Sequence, residues 1–192
     1  MNKKDITDFF DKCAPDWDNE MIIDTDVVNR ILDLAQIKEN CRVLDVASGT
    51  GVLFPFYEAR KAACVVGIDV SPEMVKIAKK KFPHREIICA DAENYEFDRE
   101  FDSVMIYNAF PHFAEPEKLI ENLLRSLTQG GRFSVAHGMS KEKIDKCHRG
   151  AAASVSLSLP EADKLKEIFQ KYLDVDVVIS DDRMYMVSGV KR

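Results

Sequence analysis

Five short apolar runs, separated by helical and turn-forming segments, constrain the fold of this chain more than any other feature. They are Arg42–Ala47, Cys64–Asp69, Glu86–Ala90, Phe101–Tyr107 and Gly131–His137. Each has strand length and is rich in β-branched residues. Their apolar character is nearly continuous rather than alternating, which suits parallel strands covered on both faces. The segments between them carry helix punctuation. Ser71-Pro72-Glu73 supplies an N-cap, a proline at the first helical position and an acid in the first turn, and predicts a helix to about Lys81. A helix starting near Pro116 carries Leu119, Ile120, Leu123, Leu124 and Leu127 at 3–4 spacing, and Gly130-Gly131 is read as its stop. Further helices are expected over about 20–36, 140–148 and 160–171. Strand–helix alternation of this kind predicts a doubly wound, Rossmann-like α/β sheet. Two last apolar runs, Leu173–Ile179 and Met184–Val190, are joined by Ser180-Asp181-Asp182-Arg183 and read as an antiparallel hairpin. The expectation is therefore a mostly parallel seven-stranded sheet that ends in an antiparallel hairpin.

A length of 192 residues suits one domain spanning 1–192. The 27 Lys and Arg against 33 Asp and Glu leave a net charge of -6, which argues against nucleic acid or an anionic membrane surface as partner. No apolar run approaches the roughly 18 residues of a membrane span, and no apolar stretch follows Met1–Asp5 as a secretory leader would require. Five cysteines, an odd number with no CxxC pair, suit free thiols and a cytoplasmic location.

The segment Val43-Leu44-Asp45-Val46-Ala47-Ser48-Gly49-Thr50-Gly51 runs from a strand into a tight turn. Small residues there let backbone N–H groups approach a ligand. Asp69 ends the next strand, where an acid can accept from ribose hydroxyls. Asp91-Ala92 follows the third strand, where a carboxylate can accept from an adenine amino group. The three sites fall at successive carboxyl ends and should line one crevice. A dinucleotide fingerprint would want a third glycine where Phe54 stands.

These segments resemble the class I S-adenosylmethionine-dependent methyltransferases over most of the chain, about 40–190. Val43–Gly51 looks like the family's first motif, with Ala47 where glycine is commoner. Ile68-Asp69-Val70-Ser71-Pro72-Glu73-Met74 is similar to its second-strand end, and Ala90-Asp91-Ala92-Glu93 to its adenine-binding step. Phe101-Asp102-Ser103-Val104 through Asn108-Ala109-Phe110 resembles its fourth motif. Leu124–Phe133 is close to an L-x-P-G-G stretch, with Thr128-Gln129 in place of Lys-Pro. The most similar branch is that of small-molecule enzymes akin to the quinone-biosynthesis C-methyltransferases, whose lead-in Phe9–Asp18 also resembles. The resemblance implies S-adenosylmethionine as cofactor, with S-adenosylhomocysteine (SAH) as product. It implies that Gly49, Thr50 and Gly51 cradle the methionine end, with Asp45 and Ala47 shaping the loop. It further implies Asp69 on the ribose, Val70 and Met74 beside the adenine, Asp91 and Ala92 at its edge, and Asn108 and Phe110 facing the methyl group.

Methyl transfer needs mainly alignment, and a base only where the nucleophile is protonated. The candidates for such a base are His112, after the fourth strand, and His137, at the end of the fifth. Phe10, Trp17 and His148 are candidate substrate contacts. The first 36 residues are expected to form a helical lid, and 138–160, with its small residues Gly150-Ala151-Ala152-Ala153, a substrate-side insertion. No spacing matches a zinc signature, and no metal is expected. There is no N-P-P-Y-like pattern of the kind amino-group methylation would favour, and no cysteine pair of the arsenic-methylating type. The acceptor is expected to be a small molecule, and the hairpin edge could pair with a second copy of the chain to form a homodimer. A nicotinamide-dependent oxidoreductase and a non-catalytic cofactor-binding regulatory protein are the alternatives.

Overall fold

A computed structural model describes residues 1–150 and 152–192. Ala151 of the expected small-residue segment lies outside the described residues. Seven strands form one sheet: β1 (Arg42–Val46), β2 (Cys64–Asp69), β3 (Glu86–Cys89), β4 (Phe101–Tyr107), β5 (Leu127–His137), β6 (Leu173–Ser180) and β7 (Tyr185–Lys191). Their order is β3-β2-β1-β4-β5-β7-β6. The first five are parallel, while β7 runs antiparallel to both β5 and β6. The direction of winding reverses between β1 and β4. In an open α/β sheet that is where a crevice opens at the carboxyl ends of the strands.

Helices cover both faces. One face carries α3 (Thr25–Leu34), α4 (Phe54–Ala59) and α5 (Pro72–Lys81), with Val28, Ile31, Leu32, Phe54, Tyr57 and Ala78 fully buried. The other carries α6 (Pro116–Arg125), α7 (Lys141–His148) and α8 (Ala162–Phe169), with Leu119, Leu123, Leu165 and Phe169 at the centre. Burial on both faces explains why the parallel strands read as unbroken apolar runs.

Two local readings are corrected. The helix expected over 20–36 is divided into α2 (Trp17–Glu20) and α3. Met21 is extended, and Asp24 caps the second helix by accepting from the N–H groups of Asp26 and Val27 at 3.1 Å. Gly130-Gly131 does not stop α6, which ends at Arg125. Leu127 is already in β5, opposite Phe101, and the next pairing is Ser103 with Arg132. The intervening residues form a bulge that Gly130, at φ +74°, makes possible. A second irregularity, between Val175 and Val177 of β6, turns Asp176 toward the buried Arg132, whose guanidinium it grips with two 2.7 Å bonds. Removing one partner of such a pair strands a buried charge. Asp176→Ala is expected to lower stability by about 2–3 kcal/mol, seen as a lower urea midpoint with unchanged slope.

Candidate functional site

The carboxyl ends of β1, β2, β3 and β4 open into a cavity of about 1010 Å3, counting its mouth. Its floor is the turn after β1. Ala47 and Gly49 both sit at φ +55°, and Ser48 donates its N–H to Ile68 O at 3.1 Å. A left-handed alanine costs about 1–2 kcal/mol, and tertiary contacts hold the turn in that shape. The chief contact is Asp69, whose Oδ2 accepts from Gly49 N–H at 2.8 Å and whose Oδ1 accepts from Ser71 N–H at 2.9 Å. Burial raises the Asp69 carboxyl above the usual range, against the lowering effect of these N–H groups. Asp45 is 2% exposed and raised well above that range, first by burial and then by the charge of Asp69. Val70, Met74 and Ala92 supply apolar wall on the β2–β3 side.

Two N-terminal helices, α1 (Lys3–Cys13) and α2, lie across this opening. Lys3 bridges Asp91 and Glu93, at 2.7 Å from the latter. Asp11 accepts from the Ser71 hydroxyl and from Glu73 N–H. Asp18 accepts from the Thr50 hydroxyl and pairs with Lys81 at 2.6 Å. Phe10 and Trp17 reach the cavity wall, and Trp17 Nε1 lies 3.8 Å from where a Cβ on Gly49 would stand. On the far side Asn108, at φ +54°, accepts from Gly138 N–H at 2.9 Å and ties the ends of β4 and β5 together.

Residues 44–135 match the family described as a methyltransferase domain. A demethylmenaquinone methyltransferase of Paenarthrobacter aurescens is 32% identical over 146 residues, covering 69% of this chain and 54% of that protein. In these segments the chain is similar to the class I methyltransferases. A SAM-dependent methyltransferase from Aquifex aeolicus shares the fold at TM-score 0.69 and 20% identity, with all of both chains covered (100% each). The magnesium protoporphyrin IX methyltransferase of Synechocystis PCC 6803, solved with bound SAH, shares it at TM-score 0.73 and 16% identity over 99% of each chain. The chain spans about half the length of the curated relatives it matches, 54% and 51% for two of them.

Of the residues singled out in sequence, the fold brings Asp45, Ala47, Gly49, Asp69, Val70 and Met74 to the cavity wall. Asp91, Ala92, Asn108, His112, Phe10 and Trp17 join them there. Thr50 and Gly51 lie behind the turn. Thr50 is fully buried with its hydroxyl on Asp18, and Gly51 faces the rings of Phe54 and Phe82. Phe110 packs into the core, His137 is 2% exposed, and His148 stands behind His112 with ring centroids 4.9 Å apart. Lys3, Glu93 and Tyr107 line the cavity without having been singled out. Tyr107 was legible as the last residue of its strand. Nothing local marks Lys3, whose partner Asp91 is 88 positions away. Among the described residues no group of three or more His, Cys, Asp or Glu could hold a metal, and no helix is long and apolar enough to cross a membrane.

The histidines have a measurable signature. Burial lowers His137 to about 3 and His112 to about 4, in both cases aided by neighbouring imidazoles. Both rings stay neutral in the fold while the unfolded chain binds protons below about pH 6.5. The stability present above that pH is therefore lost as the pH falls from about 6.5 toward 4, by up to about 1.4 kcal/mol per pH unit per histidine. His137→Leu is expected to make this acid slope shallower by up to one histidine's share, with His112 and the partly buried His148 supplying the rest, in urea titrations at several pH values. An unchanged slope counts against a neutral buried His137.

Proposed function

We infer that this chain is an S-adenosylmethionine-dependent methyltransferase acting on a small molecule. The observation that carries the reading is the grip of Asp69 on Gly49, which sets a carboxylate and a backbone turn side by side on the cavity floor. Each oxygen of Asp69 uses one lone pair on a backbone N–H and keeps another for a ribose hydroxyl. The residues fit an adenosyl group in one further respect. A Cβ on Gly49 would meet only Trp17 Nε1, so ligand atoms can approach the turn closely. Asp69 would hold the ribose, Met74 and Val70 would flank the adenine, and Asn108 would face the sulfur end.

When bound, S-adenosylmethionine supplies a methyl group already activated on a sulfonium sulfur. The chain's own contribution is then to orient an acceptor and exclude water. α1 and α2 serve as the lid, held by Lys3, Asp11 and Asp18. The expected substrate-side insertion 138–160 puts no described residue on the cavity wall. It backs the turn after β4, where Leu157 N–H donates to Pro111 O and Val155 O meets His112 Nδ1. Residues 1–192 act as one domain. The quinone and porphyrin enzymes among the relatives and structural neighbours support a small planar acceptor. Calorimetry is expected to show binding of SAH and none of NAD; the reverse result would overturn the reading. Release of SAH with a panel of quinol, phenol, thiol and amine acceptors tests turnover, and its persistent absence would favour a non-catalytic cofactor-binding protein.

A further inference from the structure

His112 differs from the other two histidines of its cluster in one respect that bears on chemistry: its protonation pattern is dictated by its neighbours. The ring stands in the short 3-10 turn Phe110–His112 after β4 and lines the cavity. Its Nδ1 lies 2.9 Å from Val155 O and 3.1 Å from Ser156 Oγ. A carbonyl oxygen can only accept. The Ser156 hydroxyl spends its own proton on Ala152 O at 2.8 Å, so it too offers Nδ1 only a lone pair. Nδ1 must therefore carry the hydrogen, and the neutral ring leaves Nε2 with a bare lone pair. Among the described residues Nε2 has no hydrogen-bond partner. Phe10 holds the ring by an edge contact, with centroids 4.8 Å apart and planes at 82°. His137 has its Nε2 buried and off the cavity wall, and His148 is half-buried behind His112 with a buried, unpartnered Nδ1.

We propose that His112 Nε2 is the proton acceptor for a hydroxylated aromatic or enolic methyl acceptor seated between Phe10, Tyr107 and Phe113. The assignment rests on the methyl-transfer reading above and adds the substrate class to it. A phenol with a pKa of about 10 is ionised in roughly one molecule per thousand at pH 7. Such a nucleophile gains from a positioned base, whereas a thiolate needs none. As the acceptor oxygen bonds the methyl carbon, the carbon–sulfur pair stays on sulfur and the O–H proton passes to Nε2, giving an imidazolium that returns its proton to water. The titratable groups facing His112 are His148, in ring contact, and His137 beyond it; a charge on His148 disfavours one on His112, so the imidazolium formed in the step is short-lived and gives up its proton readily. His112 is lowered to about 4, mainly by burial, so the base is free throughout the neutral range.

The ring itself can be read directly. In SAH-loaded protein, long-range 1H–15N NMR is expected to show His112 with Nδ1 protonated and Nε2 bare from about pH 5 to 8. Added phenol is expected to shift Nε2 and leave Nδ1 in place. An Nε2-protonated ring, or an Nε2 signal indifferent to phenol, overturns the assignment whether or not any acceptor is turned over. With S-adenosylmethionine and catechol, His112→Gln is expected to lower kcat about 100-fold or more while leaving KM for S-adenosylmethionine unchanged. It should also replace a flat profile above pH about 6 by a tenfold rise per pH unit, because only pre-ionised catechol then reacts. Retention of the wild-type rate and profile would overturn the assignment as well. A protein that fails to bind SAH in calorimetry sinks the cofactor reading instead; the same NMR titration with phenol on the ligand-free protein then decides whether His112 Nε2 meets a hydroxylated aromatic.

Discussion

Asp69→Ala is expected to weaken SAH binding by about 100-fold or more while the protein remains folded. The carboxylate is 8% exposed and stands between the Gly49 turn and the cap of α5, holding one N–H of each. A hydrogen bond to a charged group is worth about 1.5–3 kcal/mol, and two to a ribose diol amount to about 3–6 kcal/mol, or roughly two to four decades in affinity. Asp91 provides the internal control. Its Oδ1 accepts from Glu93 N–H, and its Oδ2 is taken by Lys3 and by Asn94 Nδ2. A ligand that reaches Asp91 must displace part of that set, so its net gain there is smaller. Asp91→Ala is expected to cost at most about tenfold in affinity. Calorimetry on both variants checks the ranking. Unchanged affinity in a folded Asp69→Ala protein, or a larger loss at Asp91, would remove Asp69 from the ribose.

The strand ends were legible because parallel strands buried on both faces leave a plain trace. The runs Cys64–Asp69 and Phe101–Tyr107 are β2 and β4 as they stand, and Ser71-Pro72 marks the start of α5. Once the strands are placed, topology carries Asp69 and Asp91 to one crevice without any knowledge of side-chain contacts. What remained hidden depends on long-range pairing or on the direction in which a side chain points. Gly130-Gly131 has the local look of a helix stop. Only the pairing of Leu127 with Phe101 shows that the strand has already begun. Likewise His112 follows β4 and His137 ends the neighbouring β5, and composition cannot rank them. The ranking comes from Val155 O and Ser156 Oγ, over forty positions along the chain from His112. Lys3 is illegible for the same reason, since its meaning depends on two carboxylates at the end of β3.

Gly51→Ala is expected to be the most damaging small substitution in the turn, lowering stability by about 2–4 kcal/mol. Gly51 has φ +84°, where a Cβ costs about 1–2 kcal/mol in backbone strain alone. That Cβ would also stand 2.8 Å from Phe82 Cε2 and 2.9 Å from Phe54 Cδ2. The two rings stand edge to face at 5.2 Å and Phe54 is fully buried, so Phe54 cannot withdraw without disturbing α4, and the half-buried Phe82 must move off it at the end of α5. Gly130→Ala separates the two contributions. Its φ of +74° imposes similar backbone strain, but nothing lies within 4 Å of the added carbon, and its expected cost is about 1 kcal/mol. Urea unfolding of both variants measures the difference, which is the packing part of the cost. Equal losses would mean that Phe54 and Phe82 yield freely and that the turn is held by backbone geometry alone. Because Gly51 points at those rings and away from the cavity, SAH affinity in the folded fraction should fall less for Gly51→Ala than for Asp69→Ala. The first glycine of the turn is thus open to a ligand while the second fixes the turn to the helices beneath it.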